Sequence, residues 1–126
     1  MYKRIVAVIL SAMLVLAVVG PTLAPAAKRF KTKVTITQGD NTNFHGKVKS
    51  RKAKCRKGRK VTLQRKTTYQ SSFKSIGSDK SNRKGKWKVN TKPVSQASYR
   101  AKVKKKRLRH HKGVCKGAKS RVIVAP

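Results

Sequence analysis

Two carboxylate side chains, Asp40 and Asp79, stand against 35 Lys and Arg in this chain. No compact state can neutralise such a surface from within, and self-repulsion opposes collapse throughout the neutral pH range. The 126 residues carry a formal net charge of +33. Whatever structure forms is therefore held by apolar burial, backbone hydrogen bonds and covalent links rather than by ion pairs. The same shortage removes whole classes of chemistry. Glycoside hydrolysis needs two carboxyl groups flanking one bond, and a calcium site needs several anionic oxygens together. Here each turn-rich segment that holds an Asp holds only one.

The N-terminal segment is expected to lie outside the fold. Lys3 and Arg4 precede an apolar run from Ile5 to Leu10 that resumes after Ser11 and continues to Val19, before Gly20 and Pro21 break it. Ala24 and Ala26 then give the small-x-small spacing of a signal peptidase site. The pattern predicts a signal peptide over residues 1–26 and a secreted domain over residues 27–126. The alternative is an uncleaved N-terminal helix anchoring the protein to a membrane, for which the run is short of the roughly 20 residues a span needs. No cysteine follows the leader, which excludes a lipoprotein anchor. Removing the leader takes two of the 35 basic residues and neither acid, leaving a net charge of +31 on 100 residues.

High charge with few apolar residues is also the composition of a disordered chain, and the patterning argues against it. Phe30, Thr32, Val34 and Ile36 alternate with Lys31, Lys33, Thr35 and Thr37, as in a strand with one buried face. The same period recurs at Phe44–Lys49, Val61–Gln64, Lys86–Asn90, Tyr99–Lys104 and Val122–Val124, with a weaker run at Phe73–Ile76. Turn-forming residues separate these runs at 38–43, near Gly58, and at 78–85, 91–98 and 110–117. No sustained helical period occurs. The pattern predicts an all-β fold, a small antiparallel sandwich of seven strands, immunoglobulin-like or prealbumin-like.

Cys55 and Cys115 are the only cysteines. In an exported chain a pair implies one disulfide, and closing so long a loop contributes roughly 4 kcal/mol in the chain-entropy picture. Their separation, without paired ligands nearby, argues against a metal or redox site.

Several short segments in order carry a family likeness: Phe44-His-Gly-Lys-Val-Lys-Ser50, Lys54-Cys-Arg-Lys-Gly-Arg-Lys-Val-Thr-Leu-Gln-Arg65, Ile76-Gly-Ser-Asp79, Gly85-Lys-Trp-Lys-Val89, Tyr99-Arg-Ala-Lys-Val103 and Cys115. Over about Phe44 to Val124 the chain resembles small secreted bacterial β-sandwich domains of the prealbumin-like, carboxypeptidase regulatory-like group. Ser98 stands where that group usually has Gly. The resemblance implies a non-catalytic module.

Other candidate sites are weak. Asp79 reads as a turn residue bonding backbone amides within Ser78–Gly85. His110 and His111 are adjacent, so in an extended segment they point to opposite sides, and zinc needs three or four converging ligands. No G-x-S-x-G elbow supports a nucleophilic serine. We therefore expect no catalytic residues, no metal, no cofactor and no small-molecule substrate.

What remains is charge. Eight of the thirteen residues from Arg100 to Lys112 are basic, as are seven of the ten from Arg51 to Lys60. Lys and Arg that neutralise phosphates release condensed counterions, giving salt-sensitive, sequence-independent affinity. The expected anion contacts are Arg100, Lys102, Lys104, Lys105, Lys106, Arg107, Arg109 and Lys112. The expected partners are anionic polymers, such as cell-wall phosphate polymers, acidic polysaccharide or nucleic acid, or an anionic membrane surface, met by a monomer. No sequence-specific nucleic-acid signature occurs. Two alternatives are a surface domain with no specific ligand and a cationic antimicrobial or membrane-active protein, the latter lacking an amphipathic helix.

Overall fold

The structure is a computed structural model and describes residues 28–126. The expected signal peptide and its cleavage point lie outside these residues. The described chain is all-β apart from one helical turn and one 3-10 turn, and is cross-linked by the Cys55–Cys115 disulfide.

Strands β2 (Lys33–Val34) and β3 (Thr37–Gly39) run along one side of β4 (Asn43–Lys49), and β7 (Lys86–Asn90) lies on its other side. All three pair antiparallel with β4. A second sheet is built on β5 (Lys60–Lys66), flanked by β6 (Lys74–Lys80) and β8 (Ser98–Val103). Beyond β8, the short strands β11 (Ala118–Lys119) and β12 (Ile123–Val124) pair with its two ends.

Both sheets supply one core. Val34, Ile36, Phe44, Val48, Trp87 and Val89 from the first meet Val61, Leu63, Tyr99, Ala101 and Val103 from the second. The Phe44 and Tyr99 rings stack across the interface with centroids 4.2 Å apart. The expected alternation is thus seen in β4, β5, β7 and β8, where the buried Phe44, Val48, Val61, Leu63, Trp87, Val89, Tyr99, Ala101 and Val103 are separated by polar and basic side chains that are exposed or half-buried.

Close approach dictates one glycine in this core. Gly46 faces inward opposite Trp87, and a Cβ there would overlap the Thr35 carbonyl. The Trp87 indole lies beside the space left open, with its Nε1 donating to that carbonyl at 3.2 Å. Where the chain crosses between the sheets from β7 to β8, the Val94 amide donates to the Tyr99 hydroxyl at 2.7 Å. This satisfies the one polar atom of a fully buried ring.

The disulfide lies outside that core. Cys55 sits in α1 (Ala53–Arg56), a single turn in a stretch that shows no helical period. Cys115 sits in β10 (Val114–Cys115), which pairs parallel with β1 (Arg29–Phe30) and antiparallel with β9 (Lys106–Arg107). Together with Leu108 and the half-buried Phe30, the cysteines form a second small apolar cluster, their Cα atoms 5.4 Å apart. The run expected as one strand from Phe30 to Thr37 therefore divides: Phe30 joins the disulfide cluster while Val34 and Ile36 enter the main core. Among the described residues, no helix is long and apolar enough to cross a membrane.

Candidate anion-binding surface

Strand parity decides where the basic residues go. On β8 the odd positions Tyr99, Ala101 and Val103 face the core, so Arg100 and Lys102 face outward. Arg100 is half-buried and already engaged: its Nε donates to Gln64 Oε1 at 2.8 Å and its guanidinium lies 4.0 Å from the centre of the Phe73 ring. Lys102 pairs with Lys119 of β11 on one side and Thr62 of β5 on the other.

Past Val103 the chain leaves this sheet for the small one formed by β1, β10 and β9. Arg29, Val114 and Arg107 stand in one cross-strand row. In the next row Phe30, Cys115 and Lys106 take the opposite parity, so Lys106 turns toward the disulfide side, where its ammonium lies near Gly58. Lys105, Arg107 and Lys116 are exposed and share the outer side with Arg29. These four, with His111, Leu108, Val114 and two glycines, line a depression of about 690 Å³. Arg109 and Lys112 are exposed at the adjoining 3-10 turn, Arg109–His111, and do not line it.

The expected run therefore bends. Lys105 and Gly117 are shared with a second depression bounded by Lys102, Lys104 and Lys119. Lys104 is shared in turn with a third, over Thr62, Ser75 and Ser78 beside Lys60. A cationic track thus runs from the small sheet along the outward face of β11, β8, β5 and β6. Of the eight expected residues, Lys102, Lys104, Lys105 and Arg107 line this track. Sequence reasoning missed Arg29, Lys60, Lys116 and Lys119, which reach it through strand pairing across long sequence separations. The available signal was the parity of Val114 and Cys115, which sets Lys116 opposite in direction to the cysteine.

One basic residue leaves the surface altogether. Arg59 is 1% exposed. Its guanidinium donates to the carbonyls of Cys55 and Lys104 at 2.8 Å, to that of Lys116 at 3.1 Å and to Thr32 Oγ1 at 3.2 Å. Desolvation pulls its pKa below the usual arginine value. It holds four segments of the disulfide end together with no carboxylate partner.

The acidic residue in the β6 region behaves differently from expectation. Asp79 is not in a turn but in β6, and its Oδ2 accepts the Lys88 amide of β7 at 2.8 Å, tying the two sheets along one edge. The turn that follows is organised by Asn82, whose Oδ1 accepts the amides of Lys84 and Lys86 at 3.0 Å. No group of three His, Cys, Asp or Glu side chains converges among the described residues. No known protein family matches the chain, and no curated protein is similar to it.

Proposed function

We propose that this is a secreted, non-catalytic β-sandwich module that binds anionic polymers without sequence preference. The observation that carries the reading is the track itself: Arg29, Lys105, Arg107 and Lys116 at one end, continued by Lys102, Lys104, Lys119 and Lys60, with no carboxylate among the residues lining it. Depressions lined by one sign of charge concentrate counter-ions of the other. The net charge of +31 left after leader removal adds long-range attraction that salt screens.

The structural half of the proposal is a seven-stranded, immunoglobulin-like sandwich following a signal peptide. It takes β2 with β3, and β11 with β12, as two interrupted strands, and sets β1, β9 and β10 apart as an addition at the disulfide end. Of the two expected sandwiches, the immunoglobulin-like one is favoured by the Tyr99 hydroxyl bonding to backbone five residues upstream, a corner found where the chain crosses between sheets in such folds. The module acts as a monomer and takes no cofactor.

The test is the salt dependence of binding to duplex DNA and to heparin. Log K should fall linearly with log salt. Changing Arg29, Lys105, Arg107 and Lys116 together to Gln should make the DNA slope shallower by up to about 3.6, at about 0.9 per neutralised phosphate. An unchanged slope and affinity would remove the track as the contact surface. Absence of binding by the parent at low salt would end the proposal.

A further inference from the structure

Strand register places cation against cation on both sides of the molecule. On the first sheet Lys33 pairs with Lys49 and Lys47 with Lys86. On the second, Lys60 pairs with Lys80 and Lys102 with Lys119. Like charges directly opposite each other destabilise a sheet, so these pairs are costly unless something anionic lies over them.

The second sheet's outward face belongs to the track already described. The first sheet's outward face does not. Its exposed side chains are Lys33, Lys47, Lys49, Lys86 and Lys88, with His45 opposite Lys88 and Thr37 beside His45. Four of these lysines line a separate depression of about 620 Å³ together with Thr35, Thr37, Trp87 and, from the edge strand β6, Lys80. The one carboxylate on its margin, Asp79, accepts the Lys88 amide through Oδ2 and is outnumbered by the lysines around it. Successive outward lysines on β4 and β7 stand about 6.7 Å apart along the strand, with neighbouring strands about 4.8 Å away. This is a two-dimensional array of positive charge. The two sheets share one core, and this array points away from the track.

We infer that one molecule binds two polyanion chains at once, one along the track and one across the lysine array of β2, β4 and β7, and so bridges linear phosphodiester polymers. The inference rests on the polyanion reading above and adds a second, opposed contact surface to it. Charge complementarity selects the partner, since five lysine ammonium groups and a single carboxylate line the depression.

The experiment mixes short DNA duplexes carrying donor and acceptor dyes with substoichiometric protein at fixed salt, and reads energy transfer alongside binding anisotropy. The parent should bind and bring the two labelled duplexes together. A variant with Lys47, Lys49, Lys86 and Lys88 changed to Gln should still bind one duplex through the track and lose the transfer signal. The variant lacking Arg29, Lys105, Arg107 and Lys116 should also lose transfer while keeping one-duplex binding. Removing the Lys47–Lys86 repulsion should raise the first variant's melting temperature, which separates lost bridging from lost fold. Parent binding without transfer would overturn bridging and leave the proposed function standing. Transfer at the parent's level in the array variant would overturn the assignment of the second surface. No parent binding at all would overturn both readings.

Discussion

Arg59 donates to a hydroxyl and three carbonyls drawn from four separate segments of chain. Truncating it to Ala leaves buried carbonyls without donors, at about 1–3 kcal/mol for each orphaned group. Arg59→Ala should therefore lower unfolding free energy by about 3 kcal/mol or more in a urea titration, whereas changing its exposed neighbour Lys57 to Ala should stay within about 0.5 kcal/mol. Tyr99→Phe removes the acceptor for the Val94 amide and nothing else from the core. A loss of about 1 kcal/mol in the same assay is expected. Arg59 was legible in principle, because it shares the odd parity of Val61 and Leu63 and so extends the inward face of β5. Composition hid it: in a run with seven basic residues in ten, one more arginine carries no distinguishing mark. Asp79 was hidden differently. Its register partner is the inward-facing Val61, and only the approach of β7, which sequence does not announce, gives its carboxylate an amide to accept.

At the level of elements, alternation read from the sequence located β4, β5, β7 and β8 because each has one wet and one buried face, and the side-chain period of two is then obligatory. It failed where an element serves two environments. The residues from Phe30 to Thr37 keep one parity, yet they supply both the disulfide cluster and the main core, so the strand breaks at Lys31–Thr32 and again at Thr35–Ile36. The four-residue α1 is too short to show a period. The cysteine pairing was legible, since two cysteines allow one connectivity, but its position beside the main core was not. That position has a consequence for stability. Replacing both cysteines by Ser should lower unfolding free energy by about 4 kcal/mol on the loop-closure estimate. Limited proteolysis of that variant should cut first between Lys104 and Gly117, leaving Trp87 in its apolar surroundings. Early loss of the Trp87 signal would show instead that the two apolar clusters unfold as one.

Across the whole molecule, cross-strand lysine pairs replace the mixed charges that usually cover a sheet. Screening then acts with one sign. Added sodium chloride should raise the melting temperature steadily from low ionic strength, because it weakens repulsion that the compact state concentrates. A flat or falling dependence would show that the array contributes no net strain. The excess of basic residues was legible from composition. Which of them share a face was not, because that depends on which strands pair.

The arrangement around Arg59 also sets an order of events during biosynthesis. Its last acceptor in chain order, the Lys116 carbonyl, lies 57 residues after Arg59 itself, with Cys115 beside it. The earliest described segment, at Lys28 and Phe30, finds its backbone partners at Val114 and Lys116. The earliest described segment therefore has no partner until residues 114–116 have been made, and the disulfide end closes only after the strands of both sheets from β4 to β8 have entered the chain.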